Sequence, residues 1–212
     1  ESKFISINKV KSDSLTKNPN FTSLLELKKI KLKFSYQILF DSKSKKLIEI
    51  DKIGLNDFFC SFENFDLHWQ ITNESKLKNN IKVTKAISNS FGRKWEAWYA
   101  ESIPFIEGPY KFKGLPGLVI EVNDLENNFR FSMIEIRKNS NQNFENNNET
   151  LKNAKELSVE KYVDLKKKVY DNPSMIIPNY EILDENLKER FRKVIENKKK
   201  TENNPIELIP YN

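Results

Sequence analysis

The sequence predicts a mainly β chain of α+β type. Three observations carry that expectation. Apolar and polar residues alternate with period two through the first two thirds of the chain. Aromatic residues make up 12%, led by fifteen Phe and seven Tyr, and such residues favour a pleated surface. Beyond residue 158 the apolar spacing changes to that of a helix. The expected architecture is a curved antiparallel sheet or half-open barrel of about eight strands, with two C-terminal helices packed on it.

The elements follow in order. Residues 31–38 alternate, with Leu32, Phe34, Tyr36 and Ile38 on one face. Residues 47–51 form the next strand, and the polar loop 41–45 makes the two a hairpin. A short strand is expected at 58–62. Another spans 67–72, with Leu67, Trp69 and Ile71 inward. Strands at 81–87 and 93–99 are separated by the hairpin signal Asn89-Ser90-Phe91-Gly92. After a Gly/Pro segment come strands at 118–122 and 129–136, joined by the polar turn 123–128. Phe129, Phe131 and Met133 would share a face. Successive strands with short polar turns imply an antiparallel meander. Ser158 is a helix cap, followed by Val159, Tyr162, Val163, Leu165 and Val169 at helical spacing. A second helix at 184–199 carries Leu187, Phe191 and Ile195. The tail 204–210 is extended and apolar enough to dock.

A chain of 212 residues can bury one sizeable core. The division expected is an antiparallel β domain over 1–138, an Asn-rich mobile loop over 139–157, and a helical extension over 158–212 packed on the sheet. The net charge of +6 comes mainly from Lys interleaved with Asp and Glu, and Lys far outnumbers Arg. That balance suits solubility better than nucleic-acid reading, which relies on Arg. There is one Cys, Cys60, and one His, His68. They permit no intrachain disulfide and no zinc site of the Cys/His kind. No apolar run reaches the length of a membrane span. No cofactor or metal is expected.

Three of the five glycines and two of the eight prolines fall in residues 108–118. Gly108, Pro109, Gly114, Pro116 and Gly117 therefore specify a shaped, ordered turn, with at least one glycine at positive φ. Around it stand Trp69 to Glu74, Lys85-Ala86, the run from Phe91 to Trp98, Ile103-Pro104-Phe105, and Gly114-Leu115-Pro116-Gly117-Leu118-Val119. Ser2 to Ser6 and Asn203 to Leu208 belong to the same pattern. Together these motifs resemble the GLPGLI family of exported bacterial proteins, with Val119 for the usual Ile. Val83 stands where members often carry a Cys, so no thiol role is implied there. Members usually have a signal peptide and a first strand before the Ser-Lys-Phe motif. Their absence here suggests a processed or truncated start and a vacant sheet edge near Phe4 to Ile7. The resemblance implies export to the periplasm or outer-membrane side of a Gram-negative cell. It implies no established reaction. Its genomic company suggests an envelope partner, an outer-membrane transport protein.

Candidate chemistry is sparse. His68 lies between Leu67 and Trp69 and points away from their face, and Cys60 has no activating helix start beside it. The carboxylates Glu96, Glu101, Glu107, Glu121 and Asp124 could in principle pair for acid/base work, but Glu96 fits better as an ion-pair partner of Lys94 or Arg93. Residues 123–128 offer oxygen ligands for calcium and equally make a plain hairpin turn. Arg93, Trp95, Trp98 and Tyr99, extended by Tyr110, Phe112 and Leu115, have the composition of a recognition surface for a partner or ligand. The same residues could instead be core on two faces, Trp95 and Tyr99 on one and Trp98 on the other. The functional expectation is a non-enzymatic binding or accessory protein of the cell envelope. The alternative is a periplasmic carrier holding an apolar ligand in a concave sheet face. A hydrolase has the weakest support in the residues.

Overall fold

The computed structural model describes residues 1–17, 20–31, 34–54, 56–137, 151–177, 179–201 and 204–208. The chain is mainly β, and its strands form two five-stranded sheets rather than one sheet of eight. The first contains β1 (Ser2–Ile5), β2 (Gln37–Asp41), β3 (Lys46–Ile53), β4 (Asn56–Phe62) and β10 (Lys155–Glu156), side by side in that order. The second contains β5 (Gln70–Lys78), β6 (Ile81–Ser90), β7 (Arg93–Ala100), β8 (Leu118–Asp124) and β9 (Arg130–Ser132), a simple antiparallel meander. Among the described residues, only β10 runs parallel to its neighbour, β4.

Turn chemistry explains the second sheet. Between β6 and β7 the two-residue turn Phe91-Gly92 has both φ angles positive, at 58° and 72°. That handedness matches the twist of the flanking strands. Phe91 tolerates it because its ring is buried, 6.3 Å from Phe112. Asn79 and Asn80 make the same kind of turn between β5 and β6, with φ 49° and 62°. Asn accepts this region more readily than most residues.

One core serves both sheets. Ile38, Phe40 and Leu47 from the first join Trp95, Ala97, Tyr99, Val119 and Val122 from the second. A separate cluster of Val83, Trp98, Ala100 and Ile120 lies on the other face of the second sheet. Helix α1 (Ile7–Lys17) and helix α2 (Phe21–Leu27) intervene between β1 and β2. Helix α3 (Val159–Asp171) packs its Tyr162 onto Ile53 and Cys60 of the first sheet. Helix α4 (Glu185–Thr201) follows, and Lys199 near its end donates to the carbonyl of Asp171, the last residue of α3, at 2.9 Å.

Several expectations need correction. The strand expected at 31–38 begins only at Gln37, and Leu32 lies outside the described residues. Phe34 and Tyr36 are half-buried in an irregular segment and meet edge to face at 5.6 Å. The strand expected at 67–72 begins at Gln70, because His68 adopts φ 49° and breaks the alternation. Leu67 is buried, Trp69 half-buried, and Ile71 exposed rather than inward. The last strand of the meander covers only Arg130–Ser132, and Met133 packs on the opposite cluster from Phe129 and Phe131. The loop expected at 139–157 lies outside the described residues over 139–150, and its end supplies β10. Asn203, Ile209 and Pro210 also fall outside them.

Candidate functional site

The Gly/Pro segment connects β7 to β8 as an ordered loop, and its side chains turn into the space between the sheets. Tyr110, Phe112 and Leu115 are all buried in the shared core. Phe112 is central: its ring centroid lies 4.5 Å from Trp95, 5.8 Å from Tyr110 and 5.9 Å from Phe131. The Trp69 indole donates to the Lys113 carbonyl at 2.9 Å and ties the loop to the start of β5. The glycines answer two different demands. A Cβ on Gly108 would sit 2.2 Å from the Phe112 carbonyl oxygen, and one on Gly117 would sit 2.3 Å from that of Ala100. Gly114 has open space but φ +94°. Pro109 lends its carbonyl to the Phe112 amide at 3.0 Å, and Pro116 is exposed.

All seven residues expected at a recognition surface are buried. Trp95, Tyr99, Tyr110, Phe112 and Leu115 belong to the shared core, as just described. Trp98 lies in the opposite cluster, with the Lys76 ammonium 3.7 Å above its ring and its own indole donating to Glu96 at 2.9 Å. Arg93 is a clamp for the C-terminal tail. Its Nη2 donates to the Pro205 carbonyl at 2.8 Å and to Asn204, and its Nε to the Ile206 carbonyl at 3.2 Å. Asp124 balances it at 3.3 Å. The surface expected of these side chains is therefore an interior in this conformation, because the second sheet is covered on the face that carries most of them.

The carboxylates do not converge either. Glu96 pairs with Lys85 at 3.0 Å, not with its strand neighbours. Glu107 pairs with Lys113 at 2.8 Å, and Glu121 with Arg130 at 2.9 Å. Asp124 accepts the Phe129 amide at 2.7 Å and the Asn128 side chain at 3.0 Å, as a hairpin turn requires. Among the described residues no group of three or more His, Cys, Asp or Glu is placed to hold a metal. His68 is exposed beside Asp66. Cys60 is buried, and that burial, with Glu49 nearby, pushes its thiol up to about 12.

A buried charge network escapes sequence reasoning altogether. Lys111 is fully enclosed, with its ammonium 2.7 Å from Glu49 and 2.7 Å from Glu207. Glu49 also receives Lys166 at 2.8 Å and the Tyr162 hydroxyl at 3.1 Å. Tyr110 donates to Glu207. Burial by itself would raise the Glu49 carboxyl, but Lys111 and Lys166 outweigh it and hold the group well below the usual carboxylate range. Asp51, nearby, goes the other way, raised chiefly by burial. Lys113 is buried too, and that burial lowers its ammonium despite Glu107. In the sequence Tyr110-Lys111-Phe112-Lys113 alternates aromatic and charged residues. Both faces are covered, because the loop lies within the fold.

The open feature lies elsewhere. β1 and β9 end their sheets, and each is paired on one side only among the described residues. A groove of about 560 Å³ runs between them. Leu118, Val119, Phe131 and Met133 give it an apolar floor, and Ser2, Lys3, Glu107 and Arg130 line its polar rim. Ser2 donates to Glu107 at 2.5 Å and so fastens β1 to the Gly/Pro loop. The Met133 amide bonds to the Ile120 carbonyl at 2.8 Å, and the Phe129 carbonyl accepts the Asp124 amide at 3.2 Å. Odd-numbered residues of β9 thus spend their backbone groups on β8. Those of Arg130 and Ser132 point outward.

A family model described as "Protein of unknown function (Porph_ging)" matches residues 63–121. The chain is similar to an uncharacterised family. The match begins before β5 and ends inside β8, so it takes in the Gly/Pro loop and most of the second sheet. No curated protein matches the chain. Two solved structures of PNGF-II are similar to it at 15% and 16% identity, with TM-scores of 0.47 and 0.48. They cover 66% and 68% of this chain. The chain spans about a quarter of their length, 26% of each. Likeness at that level carries no functional argument.

Proposed function

We propose that the chain is a non-enzymatic binding or accessory protein of the bacterial cell envelope that associates with another envelope protein, an outer-membrane transport component. Its motifs resemble those of the GLPGLI family of exported proteins, and that resemblance supports the compartment and the kind of partner. The observation that carries the binding role is the groove between the two free sheet edges. Free edge groups and apolar side chains lie together there, and both favour an added partner. The titratable residues of the interior support the same reading. Lys111 and Glu49 are enclosed in an ion pair that a substrate could not reach without opening the core. The test is capture from solubilised envelope membranes by the intact chain and by Ser132→Trp, which puts a bulky side chain at an exposed position of the groove's lining. Loss of a specific partner in the variant supports the reading. Equal capture by both chains contradicts it.

A second reading is favoured by the floor of the groove. Its apolar side chains and its volume also suit a carrier of an apolar ligand, placed at the sheet edges and not on a concave sheet face.

A further inference from the structure

We infer that the groove between β1 and β9 binds a single-chain amphiphile with an anionic head, a long-chain carboxylate being the simplest case. The inference rests on the carrier reading and names its ligand class.

The tail would lie on the floor. Arg130 to Met133, Glu135 and Ile136 line one wall, and an extended run over 130–136 would span roughly 20–23 Å, enough for a medium to long acyl chain laid flat. Leu118, Phe131 and Met133 are only partly buried by the fold, and Ile136 is exposed at the far end. A hydrocarbon there would complete their burial.

The head follows from the balance of charge among the rim residues and the side chains they pair with. Lys113 is matched by Glu107 at 2.8 Å, and Arg137 by Glu135 at 2.6 Å. Glu121, by contrast, faces two cations at once, Lys78 and Arg130, and also accepts the Ser132 hydroxyl at 3.1 Å. One carboxylate cannot neutralise both cations. Arg130 is the more open of the two, with its side chain 66% exposed against 23% for Lys78. A guanidinium suits a carboxylate, which it can hold bidentately. A cationic head would meet like charge at the same place, and a neutral head would leave the excess uncompensated.

Titration calorimetry of the intact chain with octanoate, decanoate and laurate, each below its micellar concentration, tests this. One laurate should bind per chain, saturably. Affinity should rise about tenfold for each two methylenes, the value for carbon atoms leaving water. Dodecyltrimethylammonium should bind at least tenfold more weakly than laurate. Arg130→Glu should reverse that order, and Ser132→Trp should weaken both, while circular dichroism melts confirm that each variant is folded. Laurate presented in neutral phosphatidylcholine vesicles should be withdrawn by the wild-type chain, which separates free fatty acid from a lipid surface as the source. If the cationic or a neutral twelve-carbon amphiphile binds as tightly as laurate, the head-group assignment is wrong and the carrier reading survives. If no twelve-carbon amphiphile binds saturably, both are wrong.

Discussion

Lys111→Met removes the cation at the centre of the buried network while keeping an unbranched side chain of similar volume. The wild-type ammonium lies 2.7 Å from both Glu49 and Glu207. Breaking a buried ion pair from one side costs about 3–5 kcal/mol, because the partner charge stays behind without compensation. The low end applies here. Glu49 keeps Lys166 at 2.8 Å and the Tyr162 hydroxyl, and Glu207 is not fully sealed, with its side chain 11% exposed. We expect a loss of about 3 kcal/mol, which is a fall of roughly 6–12 °C in the thermal midpoint for a chain of this size. Urea unfolding followed by both far-ultraviolet circular dichroism and Trp fluorescence gives the free energy, provided the two probes coincide. A triple variant, Lys111→Met with Glu49→Gln and Glu207→Gln, removes the stranded charges and should return most of the loss. The reasoning fails if Lys111→Met is as stable as wild type, or if the triple variant is no better than the single one.

Other outcomes follow from the same geometry. Gly108→Ala and Gly117→Ala should each destabilise more than Gly114→Ala in thermal melts, since the first two meet backbone oxygens at 2.2 Å and 2.3 Å while Gly114 meets only the strain of its φ, about 1 kcal/mol. Trp95→Ala should cost about 3–5 kcal/mol as a core truncation, whereas His68→Ala, at an exposed turn, should leave the melting curve unchanged. The acid limb of stability should depend on Glu49. Its folded carboxyl titrates below the ordinary 4.5, so its contribution is complete above that pH and is lost as the pH falls through the lower folded value. Wild type should therefore lose stability more steeply below pH 4.5 than Glu49→Gln does.

Much of the second sheet is legible in the sequence. Phe91-Gly92 signals a tight hairpin because Gly accepts positive φ, and the strands flanking it alternate cleanly. The cap at Ser158 and the docking of the tail through Ile206 were legible for similar local reasons. The first third was harder to read. Helix α1 buries no residue and has no apolar stripe to announce it; its start rests on the Ser6 hydroxyl accepting the Lys9 amide at 3.0 Å. The alternation at 31–38 suggested a strand, and Phe34 and Tyr36 pack their rings from an irregular backbone instead. The aromatic residues around Trp95 stand out in the sequence, but composition does not distinguish core from recognition surface. The loop that covers them comes from beyond β7, and only the fold brings it back. Lys111 and Glu207 illustrate the remaining gap. Each reads as a solvated charge in its own segment, and the ion pair exists only through tertiary contact.

The most direct test of the binding role is a photo-crosslinking residue placed at Ser132, on the rim of the groove, compared with one at Leu77, an exposed apolar position near the end of β5 outside the groove's lining. Both variants would be expressed in the envelope of a Gram-negative host that carries the chain's natural neighbours, irradiated, and the adducts resolved by mass. The groove account predicts a discrete adduct from position 132 and none from position 77. A discrete adduct from position 77 with none from position 132 would contradict it.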